Sequence, residues 1–408
     1  MKTKFIGIFI MTLLIGITLP SFGMISEKQI DITCNSQESR IEWTKTYGGS
    51  EFDFLSSITT TQDGGYLLGG KTYTWSNGIG DTWLIKTDSE GNEIWNTSFG
   101  GFGVEAGPDV LFELDDGSFI IPSDTESFGS GDFDFWFIKI DSNGNIMLNK
   151  TYGSKGLDFI SYCVKKEENY FFAGATNSYG TGGFDAWLLK TDREGNEIWN
   201  KTYGGLGDEW CFGICPIDDG GFVLCGEKYV PNKICWLLKI DADGNMVWEK
   251  TYVPKIGHSL ACRVKQTNDG GFIILTNTNI LSLGSIWLGK GDIGLIKTDD
   301  QGNKLWEKTI GKFLFEDQSY DLLPTNDNGY IITGLTKGFG RFIFQNRNFP
   351  PLKQACIMKT DINGNVEWEE TFGNGFCFNA IELNESIFVT AGIKKPGRSW
   401  DGTLIKIV

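Results

Sequence analysis

The stretch GDTWLIKTDSEGNEIWNTSFGG (80–101) recurs along the chain, and each end of the chain carries half of it. Close copies occupy 133–154, 184–205 and 234–252, and looser ones 292–311 and 355–373. The last residues, DGTLIKIV (401–408), supply only the first half of the unit, whereas ESRIEWTKTYGG (38–49) supplies only the second. A linear stack of repeats needs a cap at each end. Two complementary half-units instead predict a closed circle, with one repeat completed by chain from both termini.

The residue that closes each copy stands at Trp43, Trp95, Leu148, Trp199, Trp248, Trp306 and Trp368, at spacings of 52, 53, 51, 49, 58 and 62 residues. A period near 50 is the length of a four-stranded propeller blade. In the first full copy, 54–61 reads as an apolar strand a and Gln62-Asp63-Gly64-Gly65 as a turn. Strand b follows at 66–72, strand c at 82–87 and strand d at 93–99, with Asp88 to Asn92 turning between c and d. No window in the body of the chain shows sustained helical periodicity. The expectation is an all-β, seven-bladed β-propeller of four antiparallel strands per blade. Residues 40–47 are expected to pair with 404–407 and close the last blade, which leaves no open sheet edge.

The series DGGY or DGGF, then GG, WLIKTD, GN and W resembles the secreted β-propeller-repeat proteins of archaea and bacteria over residues 38–408. It is also similar to kelch repeats, and the D-x-x-G-N-x-x-W segment to the tryptophan-docking motif of quinoprotein propellers. The resemblance implies the fold. It says little about function, because one fold hosts many activities.

Lys2 and Lys4 followed by the apolar run 5–19 and by Pro20-Ser21-Phe22-Gly23 read as an export signal over 1–23. Residues 24–37 read as a linker and 38–408 as a single domain. Fifteen apolar residues are short for a membrane span, so the expected mature protein is secreted or at the cell surface, without a span. The alternative is an N-terminal anchor retained in the membrane. A net charge of −16 argues against nucleic acid, whose phosphates demand clustered Lys and Arg. A monomer is expected.

Nine cysteines and one histidine leave no C-x-x-C pair and no histidine-rich metal cluster. Cys211, Cys215, Cys225 and Cys235 crowd one repeat, where buried thiols and one or two disulfides are equally compatible readings. No metal or cofactor is expected. The D-x-x-G-N turns place Gly at the fourth position, which suits a tight hairpin and not a calcium loop with Gly at the sixth. The repeated Trp is expected to pack between blades, and Leu148 shows that its slot asks for apolar bulk. Asn96, Asn149, Asn200 and Asn384 stand in glycosylation sequons.

Two surfaces are the candidates for binding. The d–a loops carry an acidic series, Asp53, Glu105, Asp158, Asp208, Glu209, Glu316 and Asp317, with His258 read as the fifth repeat's equivalent. The b–c loops add Asp81, Asp134, Asp185, Asp292 and Asp401 on the same face. This acidic mouth suits a cation or a polyhydroxy ligand, and its carboxylates equally suit capping of loop N–H groups. The second surface is where the repeat breaks. The long loop 338–355 carries Arg341, Phe342, Phe344, Arg347 and Phe349, and loop 281–292 adds Trp287. Arg and aromatic residues are the usual anchors of interfaces.

Enzyme readings have little support. No G-x-S-x-G elbow occurs, and no catalytic residue stands out. A glycosidase needs only two carboxylates, so that class survives on composition alone. The function expected is therefore an exported, non-enzymatic binding or scaffold propeller that meets a protein or glycan ligand through its loop-rich face. The alternatives are a lectin-like propeller and, behind it, a carboxylate-based glycan hydrolase or lyase.

Overall fold

Tyr66–Thr72 and Asp81–Thr87 are buried along their whole length, as their near-continuous apolar sequences require of strands covered on both faces. Glu93–Phe99, by contrast, alternates exposed and half-buried residues, which marks an outer strand with one face in water. Together with Asp53–Thr60 these strands form one antiparallel sheet in sequence order. The chain is seen in a computed structural model that describes residues 41–408, apart from 231, 254–257, 280–281, 284–285, 288–290, 312–316, 338–352, 385–386 and 395–399.

The same four-stranded order repeats over 112–152, 158–203, 209–252 and 258–310, giving the second to fifth sheets. Beyond these, Val366–Asn384 is one unbroken strand that serves as strand d against Lys353–Thr360 and then as strand a against Ile387–Lys394. It thereby fuses two four-stranded blocks, here called the sixth and seventh sheets, into one seven-stranded sheet. The fourth strand of the seventh is Ile41–Tyr47, paired antiparallel with Asp401–Ile407 from Ile41↔Ile407 to Tyr47↔Gly402. Among the described residues there are strands and turns and no helix.

Each hydrophobic cluster straddles two consecutive sheets. Leu67 and Leu84 of the first pack with Phe119, Trp136 and Ile138 of the second. Phe171 and Leu188 of the third pack with Phe222 and Trp236 of the fourth. The seventh sheet packs back on the first, where Val389, Ala391 and Leu404 meet Leu55, Tyr66 and Trp83.

A second fastening lies nearer the outside. The d strand of one sheet grips the c–d turn of the next: Lys45 Nζ donates to Asn92 Oδ1 at 2.9 Å and Tyr47 Oη to the Gly91 carbonyl at 2.6 Å. Tyr203 Oη donates to the Gly244 carbonyl at 2.7 Å, and Tyr252 Oη to that of Gly302 at 2.8 Å. The turns are built to be gripped. Asp88 Oδ1 accepts the N–H groups of Glu90 and Asn92, while Gly91 takes φ +71°, a left-handed conformation that suits glycine. Trp43 rests on that glycine, Trp95 on Gly144, Trp248 on Gly302 and Trp306 on Gly364. The repeated aspartate is thus a turn-former, and the repeated tryptophan an inter-sheet contact.

The cysteines Cys163, Cys211, Cys215, Cys225, Cys235, Cys262, Cys356 and Cys377 are free, buried thiols. Burial pushes Cys211 and Cys262 up to about 12, so these thiols are inert hydrophobes.

Candidate functional site

The d–a and b–c loops share one face, and the sequence-expected acids sit there facing inward. Asp53, fully buried, accepts from Thr72 Oγ1 at 2.5 Å, Thr74 Oγ1 at 2.7 Å and Gly49 N at 2.9 Å. Asp158 accepts from Ser154 N at 2.9 Å, Ser178 Oγ at 2.6 Å and Thr176 Oγ1. Glu105 takes Thr125 Oγ1 at 3.1 Å, and Asp317 takes Thr336 Oγ1 at 2.6 Å; Glu316 lies outside the described residues. Asp208 is exposed and accepts from Phe184 N at 2.9 Å; the buried place equivalent to Asp53 is filled by its neighbour Glu209. Strand register corrects one assignment. Ser259, not His258, stands two residues before the fifth sheet's bulge, as Asp53 does in the first.

Of the second candidate surface, Arg341, Phe342, Phe344, Arg347 and Phe349 lie outside the described residues. Trp287 belongs to a two-residue strand paired with Ser282–Leu283. The sequon residues Asn96, Asn149, Asn200 and Asn384 are all exposed, three of them on outer strands as expected.

Among the charged and polar residues that the loops display to solvent stand several large apolar ones. Phe102 is 90% and Leu206 92% exposed on d–a loops, and Phe52, Tyr73, Trp75, Phe128 and Tyr179 are also exposed on this face. Inward of them stand two arcs of half-buried aromatic rings, on the first halves of the first strands and, with Phe184, just ahead of a third strand. Phe184 packs on Trp210 at 4.3 Å between centroids, and Phe159 stacks on Trp210 at 6.1 Å. Opposite, Tyr320 meets Phe378 at 4.8 Å, and Phe54 meets Phe378 at 6.1 Å.

Below these arcs lies a polar belt that the sequence reading missed. The first strands bulge at one common place, after Leu55, Ile160, Cys211, Ala261, Ser319 and Cys377. A bulge re-aims the residue beside it. The residues just past it are Ser57, Tyr162, Gly213, Arg263, Asp321 and Asn379; Asp109 has the same place in the second sheet, where Pro108 breaks strand a. Arg263 Nε donates to Asp321 Oδ1 at 3.1 Å, and Asn379 Nδ2 to Asp321 Oδ2 at 2.7 Å. The Arg263 guanidinium also covers the Tyr162 ring at 4.4 Å, and its Nη1 donates to the Phe212 carbonyl at 2.8 Å. Tyr162 is on the third sheet and Arg263 on the fifth, with the fourth between them, so this contact crosses the space the sheets surround. Lys265 Nζ reaches Tyr162 Oη across the same gap at 3.5 Å.

Asp109 is enclosed by protein yet open to solvent, the situation of a group in a water-accessible channel. Enclosure pushes its carboxyl up to about 6; Arg263 works against that rise and Asp321 with it. Asp124 beside it is raised well above the ordinary value by burial, despite the Ile160 N–H it accepts at 3.0 Å. The signal in the sequence was positional. The fourth residue after each Asp53 equivalent follows no consensus, and it is where Asp109, Tyr162, Arg263 and Asp321 fall. Among the described residues no group of three or more His, Cys, Asp or Glu is placed to hold a metal ion.

No protein-family model matches the sequence, and no curated protein matches it. Among solved structures the chain is similar to Sqt1 from Chaetomium thermophilum, at 10% identity and TM-score 0.50, over 90% of this chain and 99% of that one. It is similar also to the β-propeller domain of the Trilobed protease from Pyrococcus furiosus, at 11% identity and TM-score 0.48, over 87% of this chain and 94% of that one. A third, the Dos1 propeller, is 12% identical with TM-score 0.46, over 86% of this chain and 77% of that one. Likeness at such identity concerns fold alone; the order of the four-stranded antiparallel blocks, each packed on the next and the last on the first, is that of a β-propeller.

Proposed function

We propose that this chain is an exported, seven-bladed β-propeller that acts as a binding or scaffold module, engaging a protein or cell-surface ligand through its d–a and b–c loop face. The blade count is supported by the four-stranded blocks and by the packing of the seventh on the first. Export rests on the basic, apolar and small-residue sequence of 1–23. One observation carries the binding role. The loop face turns large apolar side chains, Phe102 and Leu206 above all, into water, while its buried acids such as Asp53 and Asp158 accept from loop N–H and hydroxyl groups. Exposed apolar clusters ringed by polar groups mark interaction sites. Pull-down from native membranes or medium tests this with a Phe102→Ala, Leu206→Ser variant, which should fold normally and lose the partner. Retention of the same partner by the variant would count against the loop face. Deleting 342–351 tests the long loop in the same assay.

A second reading is favoured by the aromatic arcs over the polar belt, since rings and a mixed set of donors and acceptors suit a polyhydroxy ligand. A glycan array and a chromogenic glycoside panel separate the readings. Sugar binding without turnover selects a lectin, turnover a glycan hydrolase or lyase, and silence in both leaves the protein-binding role.

A further inference from the structure

Five of the interfaces between consecutive sheets repeat an arrangement that loop capping leaves unexplained. The acid that begins strand c faces the acid that begins strand a of the next sheet, across one glycine of the intervening loop. The pairs are Asp81 with Glu105, Asp134 with Asp158, Asp185 with Glu209, Asp292 with Asp317 and Asp401 with Asp53, over Gly100, Gly153, Gly204, Gly311 and Gly48. At Gly311 a Cβ would stand 2.8 Å from Asp292 Oδ1 and 2.9 Å from Asp317 Oδ2. The two carboxylates therefore converge on a single point.

The members of a pair come and go together. Between the fourth and fifth sheets the two places hold Ile234 and Ser259, and between the sixth and seventh they hold Gln354 and Gly375. In both places the loops differ as well: Phe222–Val230 runs almost directly into Asn232–Ile240, and Val366–Asn384 passes from one sheet to the next without a d–a loop.

They are also buried. Asp134 is 1% and Asp158 0% exposed, and adjacent buried carboxylates repel unless a positive charge or a proton lies between them. No ion pair reaches the Asp134–Asp158 pair among the described residues; elsewhere Lys228 Nζ stands 3.9 Å from Glu209 Oε1, and the buried Lys71 ammonium is attracted by Glu105 and Asp81. The decisive atoms are Asp134 Oδ1 and Glu105 Oε2. Both are buried, each faces the other acid of its own pair, over Gly153 and Gly100 respectively, and neither atom has a hydrogen-bond partner among the described residues, although Asp134 Oδ2 and Glu105 Oε1 do.

We propose that these carboxylate pairs are sites for a hard divalent cation such as Ca2+, one between each pair of sheets that carries the acids. An all-oxygen donor set selects such ions over softer metals. Two carboxylates, with loop carbonyls and water completing the shell, fit the adaptable coordination of Ca2+. The ion would neutralise the pair and tie strand c of one sheet to strand a of the next.

The test uses the full chain, treated with chelator and dialysed free of metal. Calcium is then titrated by calorimetry, with thermal melts in parallel. Several ions are expected to bind, and the melting temperature to rise by several degrees with Ca2+ and fall with chelator. Tb3+ in place of Ca2+ should show luminescence sensitised by Trp83, Trp136 and Trp187, each two residues after the first acid of a pair. Asp134→Asn should bind one ion fewer and lose about a third of that sensitised signal; Asp292→Asn, whose strand has Gly294 in place of the tryptophan, should bind one ion fewer with the signal intact and is the second variant should the first fail to fold. A melt indifferent to Ca2+ and to chelator, with no ion bound, overturns the proposal. So does a melting temperature that responds only to acidification, which would mean a shared proton. Calcium bound in unchanged number by both variants overturns it as well. None of these outcomes bears on loop-face binding, which Phe102 and Leu206 test separately.

Discussion

Trp199 lies against Gly244 of the next sheet, its Cη2 3.0 Å from where a Cβ on that glycine would stand. Gly244 also has φ +77°, and its carbonyl accepts the hydrogen bond of the Tyr203 hydroxyl. Gly244→Ala therefore meets both a strained backbone and an occupied space, and should cost about 1–3 kcal/mol. Trp199→Ala removes the ring itself and should cost about 3 kcal/mol, the low end for a tryptophan because the side chain is only half-buried. Melts followed by circular dichroism check both. An unchanged Trp199→Ala melt would remove the ring from the fastening of the sheets.

Among the described residues, strand Ile41–Tyr47 alone pairs with the outer edge of Asp401–Ile407. Deleting 38–47 should lower the melting temperature and drive association through that bare edge, seen as higher-order species in size exclusion. A peptide of residues 38–49 added in trans should reverse both effects. A truncated chain that stays monomeric with an unchanged melt would contradict this role.

Arg263 and Asp321 are a mostly buried pair, with side chains 13% and 7% exposed. Removing one partner strands the other charge, so Arg263→Met should destabilise by about 3–5 kcal/mol. Arg263→Met with Asp321→Leu should recover much of the loss. Denaturant midpoints of the two single variants and the double variant give the coupling directly.

Asp63, Asp269 and Asp327 predict the acid limb of stability. The Lys86 hydrogen bond, then that of Thr61, holds Asp63 at about 2. At Asp269 and Asp327 burial pulls upward, but hydrogen bonds from Thr267 and Lys297, and from Lys359 and Thr325, outweigh it and hold each at about 2. Carboxyls depressed on folding add stability above their ordinary value near 4, and that stability is lost as pH falls from about 4 toward 2. Asp109 has the opposite sign. Raised to about 6, it favours the fold below about 4 and loses that contribution as pH rises through about 6. Melts from pH 2 to 8 should show both limbs, with Asp109→Asn flattening only the upper one.

Much of the architecture is legible in single segments. The strand limits 66–72 and 93–99 coincide with Tyr66–Thr72 and Glu93–Phe99, because apolar runs and Gly-Asn turns are local signals. The pairing of 41–47 with 402–407 follows from the split unit. The candidate site was far less legible. The acids Asp53 and Asp158 are recognisable as a series, but whether a carboxylate faces solvent or its own loop depends on side-chain direction. His258 was aligned one place early because residues inserted ahead of it blur the repeat, and only strand pairing restores the register.

By itself the sequence determined the strands, their turns and the circular order of the repeats, since each depends on neighbours within a few tens of residues. The tertiary structure alone decided what the circle encloses. Tyr162 and Lys265 are 103 residues apart and come together across the central space, while Arg263 and Asp321 meet because a bulge at one common register turns the following side chain inward. Facing carboxylates such as Asp134 and Asp158 belong to different repeats and share one spot only after two sheets have packed. Such meetings are set by the closure of the whole ring, to which no single repeat holds the key.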